Sequence, residues 1–233
     1  MDGMANTEMS EEMVKIEHVK KAYKGNVLFT DLNLSVKRGE SCAIVGVNGS
    51  GKSVLLKMVC GLVKPDAGDI IVGGEKIEKG KFPKDIGVIL DNAGFLPNET
   101  GLDNLCIIAG ILRKVTKAEV EETMRLVGLD PALQIKVGKY SLGMKQRLAI
   151  AQALMEKPSL LILDEPFNAI DQNTVKDFRD LLGRLNTQEG VTILMTSHHQ
   201  ADLQGLCRNV YRIDSQDLKK IEINKTPIYL LTK

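Results

Sequence analysis

Apolar residues along the chain form short runs that predict strands, separated by longer runs that predict helices. Residues 14–19 alternate apolar and polar side chains, as a half-buried strand does, and residues 27–29 and 32–36 continue an antiparallel set. Residues 69–72 predict a strand that ends at a glycine pair. Four further runs are short and apolar, which is typical of buried strands: 41–45, 86–90, 160–163 and 191–195.

The longer segments between these strands have helical spacing. Ser141 supplies an N-cap for one of them, and Pro158 stops it. Residues 91–155 lack strand patterns, so they predict a helical lobe inserted into an α/β core, and the region from Asn209 predicts short strands and a polar tail. The predicted helices are 54–62, 102–112, 117–127, 141–157 and 175–185.

These patterns predict one domain over residues 14–233. Its core is expected at residues 14–90 and 156–233, with the helical lobe at about 91–155. Residues 1–13 are polar and acidic, and they are predicted as a flexible tail.

Composition narrows the class of protein. The 233 residues are 43% apolar and 26% charged, as in an ordinary soluble globular protein, and the formal charge of +1 predicts no nucleic-acid partner. The four cysteines have no paired spacing, which favours reduced thiols. No apolar run approaches the roughly 18–20 residues of a membrane span, and residues 1–13 lack the apolar segment of a signal peptide. We therefore expect a cytoplasmic protein whose membrane role, if it has one, needs a separate subunit.

Residues 46–53, Gly-Val-Asn-Gly-Ser-Gly-Lys-Ser, join a predicted strand to a predicted helix, as a P-loop does. Glycines let successive backbone N–H groups point into one concavity, and the helix N-terminus adds the positive end of its dipole. Lys52 is then expected to reach the β- and γ-phosphates, and the Ser53 hydroxyl to bind Mg²⁺. The alternative, a glycine-rich surface turn, is disfavoured by the flanking strand and helix. The predicted nucleotide-binding residues are Gly46, Asn48, Gly49, Ser50, Gly51, Lys52, Ser53 and Val54.

A pair of carboxylates follows the apolar run 160–163. The carboxyl end of such a strand is where ligands bind in open α/β sheets. Asp164 is expected to hold Mg²⁺, and Glu165 to orient and deprotonate an attacking water, with Lys52 completing the catalytic set at the phosphates. The alternative is an Asp-Glu pair that caps a helix, but a P-loop protein needs a carboxylate at such a strand end.

Taken in order, five segments resemble the ATPase subunit of an ABC transporter. The resemblance covers about residues 14–213. It implies an α/β fold with a P-loop NTPase (RecA-like) core, an antiparallel β subdomain and an inserted α-helical subdomain, and an activity that requires ATP and Mg²⁺. The matching segments are 46–53, 140–147, 164–166, 168–171 and 196–198.

The same resemblance implies roles for further residues. Tyr23 matches the aromatic residue that stacks on adenine, the alternative being an ordinary strand tyrosine. Ser141 and Gly143 match the signature motif, which contacts the γ-phosphate held by the opposite subunit, and Asp171 matches the aspartate at the dimer seam. His198 matches the catalytic switch histidine that senses the γ-phosphate, although a lone histidine is more often structural. Two chains would sandwich two ATP molecules between them. Polytopic transmembrane permease subunits would hold both chains at the inner face of the cell membrane.

Two positions depart from the family pattern. The signature reads Tyr-Ser-Leu-Gly-Met from Tyr140, where Leu-Ser-Gly-Gly-Gln is usual. Asp91 stands where most members have a glutamine, and a glutamate there is typical of the bacitracin and lantibiotic self-protection exporters. Asp91 is therefore predicted as a metal ligand that sets the coupling to the permease. Residues 86–91 and 94–105 also resemble that subgroup, which predicts export of a peptide antibiotic or similar hydrophobic compound.

Two other functions account for fewer of these features. A soluble ABC-type ATPase that regulates ribosomes or nucleic-acid processing usually carries two cassettes or a long coiled coil, whereas this chain has one cassette and no basic tract. A P-loop kinase or GTPase leaves the signature segment and His198 unexplained, and the chain has no guanine-reading Asn-Lys-x-Asp sequence.

Overall fold

The computed structural model describes residues 11–23, 25–78, 80–90, 94–168, 170–197, 203 and 205–222. The strands in these residues are β1 (Glu12–Tyr23), β2 (Asn26–Lys37), β3 (Ser41–Val45), β4 (Ala67–Val72), β5 (Glu75–Lys76), β6 (Ile86–Ile89), β7 (Leu160–Leu163), β8 (Thr192–Thr196), β9 (Asn209–Asp214) and β10 (Asp217–Ile221). The α-helices are α1 (Lys52–Val59), α2 (Gly101–Leu112), α3 (Lys117–Leu126), α4 (Leu142–Leu154) and α5 (Gln172–Glu189), and Val137–Lys139 form a 3₁₀ turn.

The apolar strands assemble into a six-stranded sheet in the order β10-β9-β3-β8-β7-β6. The strands from β9 to β6 are parallel to their neighbours, and β10 is antiparallel to β9. Side chains of β3 alternate between two hydrophobic clusters, with Ala43 and Val45 in one and Cys42 and Ile44 in the other. Because both faces of the sheet are covered, its central strands β3, β7 and β8 are buried along their whole length and mainly apolar.

The second sheet has four antiparallel strands in the order β2-β1-β4-β5. The prediction of two strands at 27–29 and 32–36 was wrong, because β2 is continuous. Phe29 pairs with Lys21 and Leu32 with Val19, so β2 has one extra residue between these two pairs. This bulge shifts the apolar phase without ending the strand. Strand β1 also begins before the predicted boundary of the tail, because Met13 is 3% exposed and packs in the core.

The helices cover both faces of the six-stranded sheet. Apolar residues of α1 pack in the cluster shared with the antiparallel sheet, and those of α2, α3, α4 and α5 pack on the opposite face. Helix α4 ends before the predicted boundary, because Lys157 has a positive φ of 51° that breaks the helix. Helix α5 is longer than predicted, since Asp171 caps its first turn and Gly190 ends it. None of the helices in the described residues combines the length and apolar character of a membrane span.

The sheet order places three strand ends side by side. Strand β8 lies between β3 and β7, and all three run in the same direction. The carboxyl ends of β3, β7 and β8 therefore open at one edge of the sheet. The glycine-rich loop follows β3 there, the carboxylate pair follows β7, and Thr196 is the last residue of β8.

Candidate nucleotide site

The glycine-rich loop connects β3 to α1 through backbone angles that favour glycine. Gly49 and Gly51 have φ values of 80° and 104°. A Cβ atom at Gly51 would lie 2.7 Å from Cζ of Phe29 in β2. The loop therefore passes so close to the Phe29 ring that a side chain at position 51 would clash with it. The sequence Gly-Ser-Gly therefore fits both the backbone conformation and the close approach.

The N-terminus of α1 lacks the side-chain cap that the other α-helices in the described residues have. Helices α2, α3, α4 and α5 each have a side-chain N-cap, whereas α1 has none. Like α4 and α5, α1 has no acidic residue in its first turn. The buried Ser50 hydroxyl oxygen also has no hydrogen-bond partner within the described residues. Uncapped N–H groups at the positive end of a helix dipole attract an anion.

Lys52 lies at the start of α1 with its side chain 7% exposed. Its Nζ atom donates to the carbonyl of Gly46 at 2.8 Å and to that of Val47 at 3.4 Å. The same atom lies 3.8 Å from Oε1 of Glu165, so the loop and the carboxylate pair meet through this ammonium group.

The carboxylate pair is fixed by the neighbouring strand β8. The hydroxyl of Thr196 donates to Oδ1 of Asp164 at 2.5 Å and accepts from the backbone N–H of Glu165 at 2.9 Å. Asp164 is 9% exposed, and Glu165 has a positive φ of 47°. The sequence assigns Thr196 no role of its own, because only the order of β7 and β8 in the sheet brings its hydroxyl to the carboxylate pair.

A cavity of about 330 Å³ brings the loop and Glu165 together. Asn168 also lines it, a residue to which sequence reasoning gave no role. A neighbouring groove shares Leu28 and Val54 with this cavity and contains Tyr23, whose side chain is 52% exposed. The lining residues of the cavity are Leu28, Asn48, Gly49, Gly51, Lys52, Ser53, Val54, Glu165 and Asn168.

The signature residues form a second group that does not line this cavity. Ser141 caps α4 by accepting from the backbone N–H of Met144 at 3.2 Å. Asp171 caps α5 by accepting from the N–H and the hydroxyl of Thr174, and these bonds hold the pKa of Asp171 below its ordinary value. A Cβ atom at Gly143 would lie 3.8 Å from Oδ2 of Asp171, so the two caps are neighbours.

Two predicted site residues lie outside the described residues. They are Asp91, predicted as a metal ligand, and His198, predicted as the switch histidine. Their roles stay predictions.

The donor set suits a magnesium nucleotide. The Ser53 hydroxyl and the Asp164 carboxylate are oxygen ligands of the kind that Mg²⁺ takes in phosphate sites. The uncapped helix start and the unpartnered Ser50 hydroxyl suit phosphate oxygens.

The parallel sheet, the loop between β3 and α1 and the carboxylates after β7 define a P-loop nucleoside triphosphatase. A family model described as ABC transporter matches residues 29–168. The chain belongs to this family, and it is an ABC ATPase.

Curated relatives support this membership. YybJ of Bacillus subtilis (strain 168), an ABC transporter ATP-binding protein, is 38% identical over 196 residues, which cover 84% of this chain and 89% of that protein. The bacitracin transport ATP-binding protein BcrA of Bacillus licheniformis is 38% identical over 200 residues, which cover 85% of this chain and 65% of BcrA. The methionine import ATP-binding protein MetN of Clostridium acetobutylicum is 35% identical over 217 residues, which cover 89% of this chain and 68% of MetN.

A solved structure has the same fold. The ATP-binding cassette MJ0796, in a dimeric post-hydrolysis state with ADP and phosphate, superposes with a TM-score of 0.80 and 24% identity, over 91% of this chain and 99% of that chain. The predicted α/β P-loop fold is confirmed.

Proposed function

We propose that this chain is the ATP-hydrolysing motor subunit of an exporter that removes a peptide antibiotic or a similar hydrophobic compound. Membership of the ABC transporter family carries the motor part of the proposal. The similarity to a bacitracin transport protein supports export of a peptide antibiotic, whereas MetN is named as an importer. The segments on either side of Asp91 favour the exporter.

The geometry around Lys52 supports the catalytic roles. When nucleotide binds, Lys52 exchanges its loop carbonyls for the β- and γ-phosphates, and the N–H groups at the start of α1 donate to phosphate oxygens. Ser53 and Asp164 would hold Mg²⁺, which would supply positive charge to offset the charge that develops on the phosphates. Glu165, whose backbone is fixed by Thr196, orients and deprotonates the attacking water.

The separation of the two residue groups carries the dimeric part of the proposal. Ser141, Gly143 and Asp171 lie together but do not line the cavity that contains Lys52 and Glu165. A second copy of the chain would bring its signature group onto this cavity, and the first copy would do the same in return. Hydrolysis would then reopen the pair and move the permease.

The permease partner requires a contact surface outside the nucleotide site. Three apolar side chains of α2 are well exposed, namely Ile107 at 52%, Ile111 at 74% and Leu112 at 58%. We propose that this face of α2 contributes to the contact with a polytopic transmembrane subunit, which would place the chain at the inner face of the cell membrane.

The test of the catalytic assignment is Glu165→Gln. Without the base, ATP hydrolysis is expected to slow by about 100-fold or more, the scale of general-base effects, while an ATP-bound dimer accumulates. Glu156→Gln is the matched control, because it makes the same change at the opposite end of β7, before the strand begins. Glu156 does not line the cavity and pairs with Lys114 at 3.4 Å. Normal turnover by Glu165→Gln would remove Glu165 from this role.

The export direction is tested in a bacitracin-sensitive Bacillus strain. The strain produces the chain together with the permease that co-purifies with the chain from membranes. We expect the inhibitory concentration of bacitracin to rise several-fold with the unmodified chain and with Glu156→Gln, but not with Glu165→Gln. Unchanged susceptibility together with faster methionine uptake would contradict export and favour an importer.

A further inference from the structure

Arg147 in α4 joins three helices through one side chain. Its Nη1 atom donates to the carbonyl of Val127 at the end of α3 at 2.7 Å. Its Nη2 atom donates to the hydroxyl of Thr174 at 3.3 Å and to Oδ2 of Asp177 at 3.1 Å, both in α5. The guanidinium carbon also lies 5.4 Å from the centroid of the Phe178 ring.

The backbone at the end of α3 leaves room for this side chain. A Cβ atom at Gly128 would lie 2.6 Å from Nη1 of Arg147. The Arg147 side chain is 19% exposed, so most of the guanidinium group is shielded from water. A group that is packed this closely and bonded to three partners has one defined position.

The hydrogen bonds continue from Arg147 to the N-cap of α5. The Thr174 hydroxyl accepts from Arg147 and donates to Oδ2 of Asp171 at 2.8 Å. Because arginine can only donate and a hydroxyl has one proton, the bond from Arg147 directs the Thr174 proton towards Asp171. The Asp171 carboxylate in turn lies beside Gly143 of the signature.

We propose that Arg147 is the positioning residue that holds the signature end of α4 and the Asp171 cap of α5 in one arrangement, so that both meet the nucleotide of a second copy together. This inference rests on the proposed dimeric function. Lysine cannot replace Arg147, because an ammonium group cannot reach Val127, Thr174 and Asp177 with a planar fork of donors.

A role limited to holding the fold makes a different prediction. It would lower the stability of the monomer and affect nucleotide binding and dimerisation together. A positioning role instead weakens dimerisation while ATP binding to the monomer stays unchanged, because the cavity that contains Lys52 shares no lining residue with the Arg147 contacts.

The test uses the full chain with Glu165→Gln as the parent and compares Arg147→Met and Arg147→Lys with Arg125→Met. Arg125 is the control because its side chain is 61% exposed and forms a surface pair with Glu121. Sedimentation with Mg-ATP gives the dimer dissociation constant. Fluorescence titration at low protein concentration gives ATP affinity of the monomer, and thermal unfolding shows that each variant is folded.

We expect both Arg147 variants to weaken the dimer by about tenfold or more, as the loss of hydrogen bonds from a charged group does, with monomer ATP affinity within about twofold of the parent. Arg125→Met is expected to match the parent. Dimerisation equal to that of the parent, or a parallel loss of monomer ATP affinity, would overturn the positioning role. A parent that stays monomeric in Mg-ATP would instead overturn the proposed dimeric function, and the inference with it.

Thr174→Val tests the same hydrogen bonds from the other end while keeping the side-chain shape. It is expected to weaken the dimer by about threefold, because Asp171 keeps its bond from the backbone N–H of residue 174. In the Arg147→Met variant, Thr174→Val is expected to weaken the dimer less than it does in the parent. Both changes break the same hydrogen-bonded connection from Arg147 through Thr174 to Asp171. Fully additive effects in this cycle would contradict a connection through Thr174.

Discussion

At the residue scale, Lys52 explains how the loop keeps its shape around a buried charge. An ammonium group has three donors, and two of them are used on the carbonyls of Gly46 and Val47. Glu165 at 3.8 Å supplies an opposite charge. Because a buried charge is costly without partners, these contacts stabilise the loop in a form that already faces the cavity. Phosphate oxygens can replace the carbonyls without leaving the charge unpaired.

Tyr23 is the residue whose assigned role is simplest to test. Its exposed ring lies in the groove beside the cavity, so stacking on adenine is possible without rearrangement. Tyr23→Ala is expected to raise the dissociation constant for ATP roughly tenfold, within the range of base–aromatic stacking. Tyr23→Phe keeps the ring and is expected to bind ATP as the unmodified chain does, as measured by calorimetric titration. Equal ATP affinity in the alanine variant would mean that Tyr23 is an ordinary strand residue.

At the element scale, the start of α1 differs from that of the other α-helices because a left-handed glycine precedes it in place of a capping side chain. Thr100, Thr116, Ser141 and Asp171 cap the other four α-helices of the described residues, whereas α1 begins after the left-handed Gly51. A side-chain cap on α1 would occupy N–H groups that the proposed phosphate contacts require. The missing cap therefore supports the proposed nucleotide site.

Gly51 and Gly49 offer a matched test of this loop. Both have positive φ, so alanine strains the backbone at either position, but only Gly51 faces the Phe29 ring at 2.7 Å, whereas Gly49 faces open space. Gly51→Ala is expected to lower the free energy of unfolding by about 1–3 kcal/mol more than Gly49→Ala, the usual range for overpacking, as measured by urea denaturation. Equal losses would show that Phe29 moves aside freely.

At the scale of the whole molecule, the local patterns predicted much of the fold and part of the site. The apolar runs at Ser41–Val45 and Leu160–Leu163 predicted buried strands because both faces of the sheet are covered. The sequence also predicted the positions of the loop at 46–53 and of Glu165 after these strands, whereas the roles of these residues stay predictions. These features depend on residues that are neighbours in sequence, so one amino-acid sequence is enough to predict them.

Features that depend on distant contacts were not predictable from the sequence. The bulge in β2 hides one continuous strand, because the phase change looks like a break. Thr196 meets Asp164 across 32 positions, and Arg147 meets Thr174 across 27. Only the order of strands in the sheet and the packing of α4 on α5 bring these partners together.

We propose that this chain hydrolyses ATP to drive a separate membrane subunit. Purification of the tagged chain from gently solubilised membranes tests this proposal, because it identifies what is recovered with the chain and allows ATP hydrolysis by the complex to be assayed. We expect a polytopic membrane protein in stoichiometric amount, with hydrolysis that Glu165→Gln abolishes and Glu156→Gln retains. Recovery of the chain alone or with ribosomes would contradict it and favour a soluble regulator.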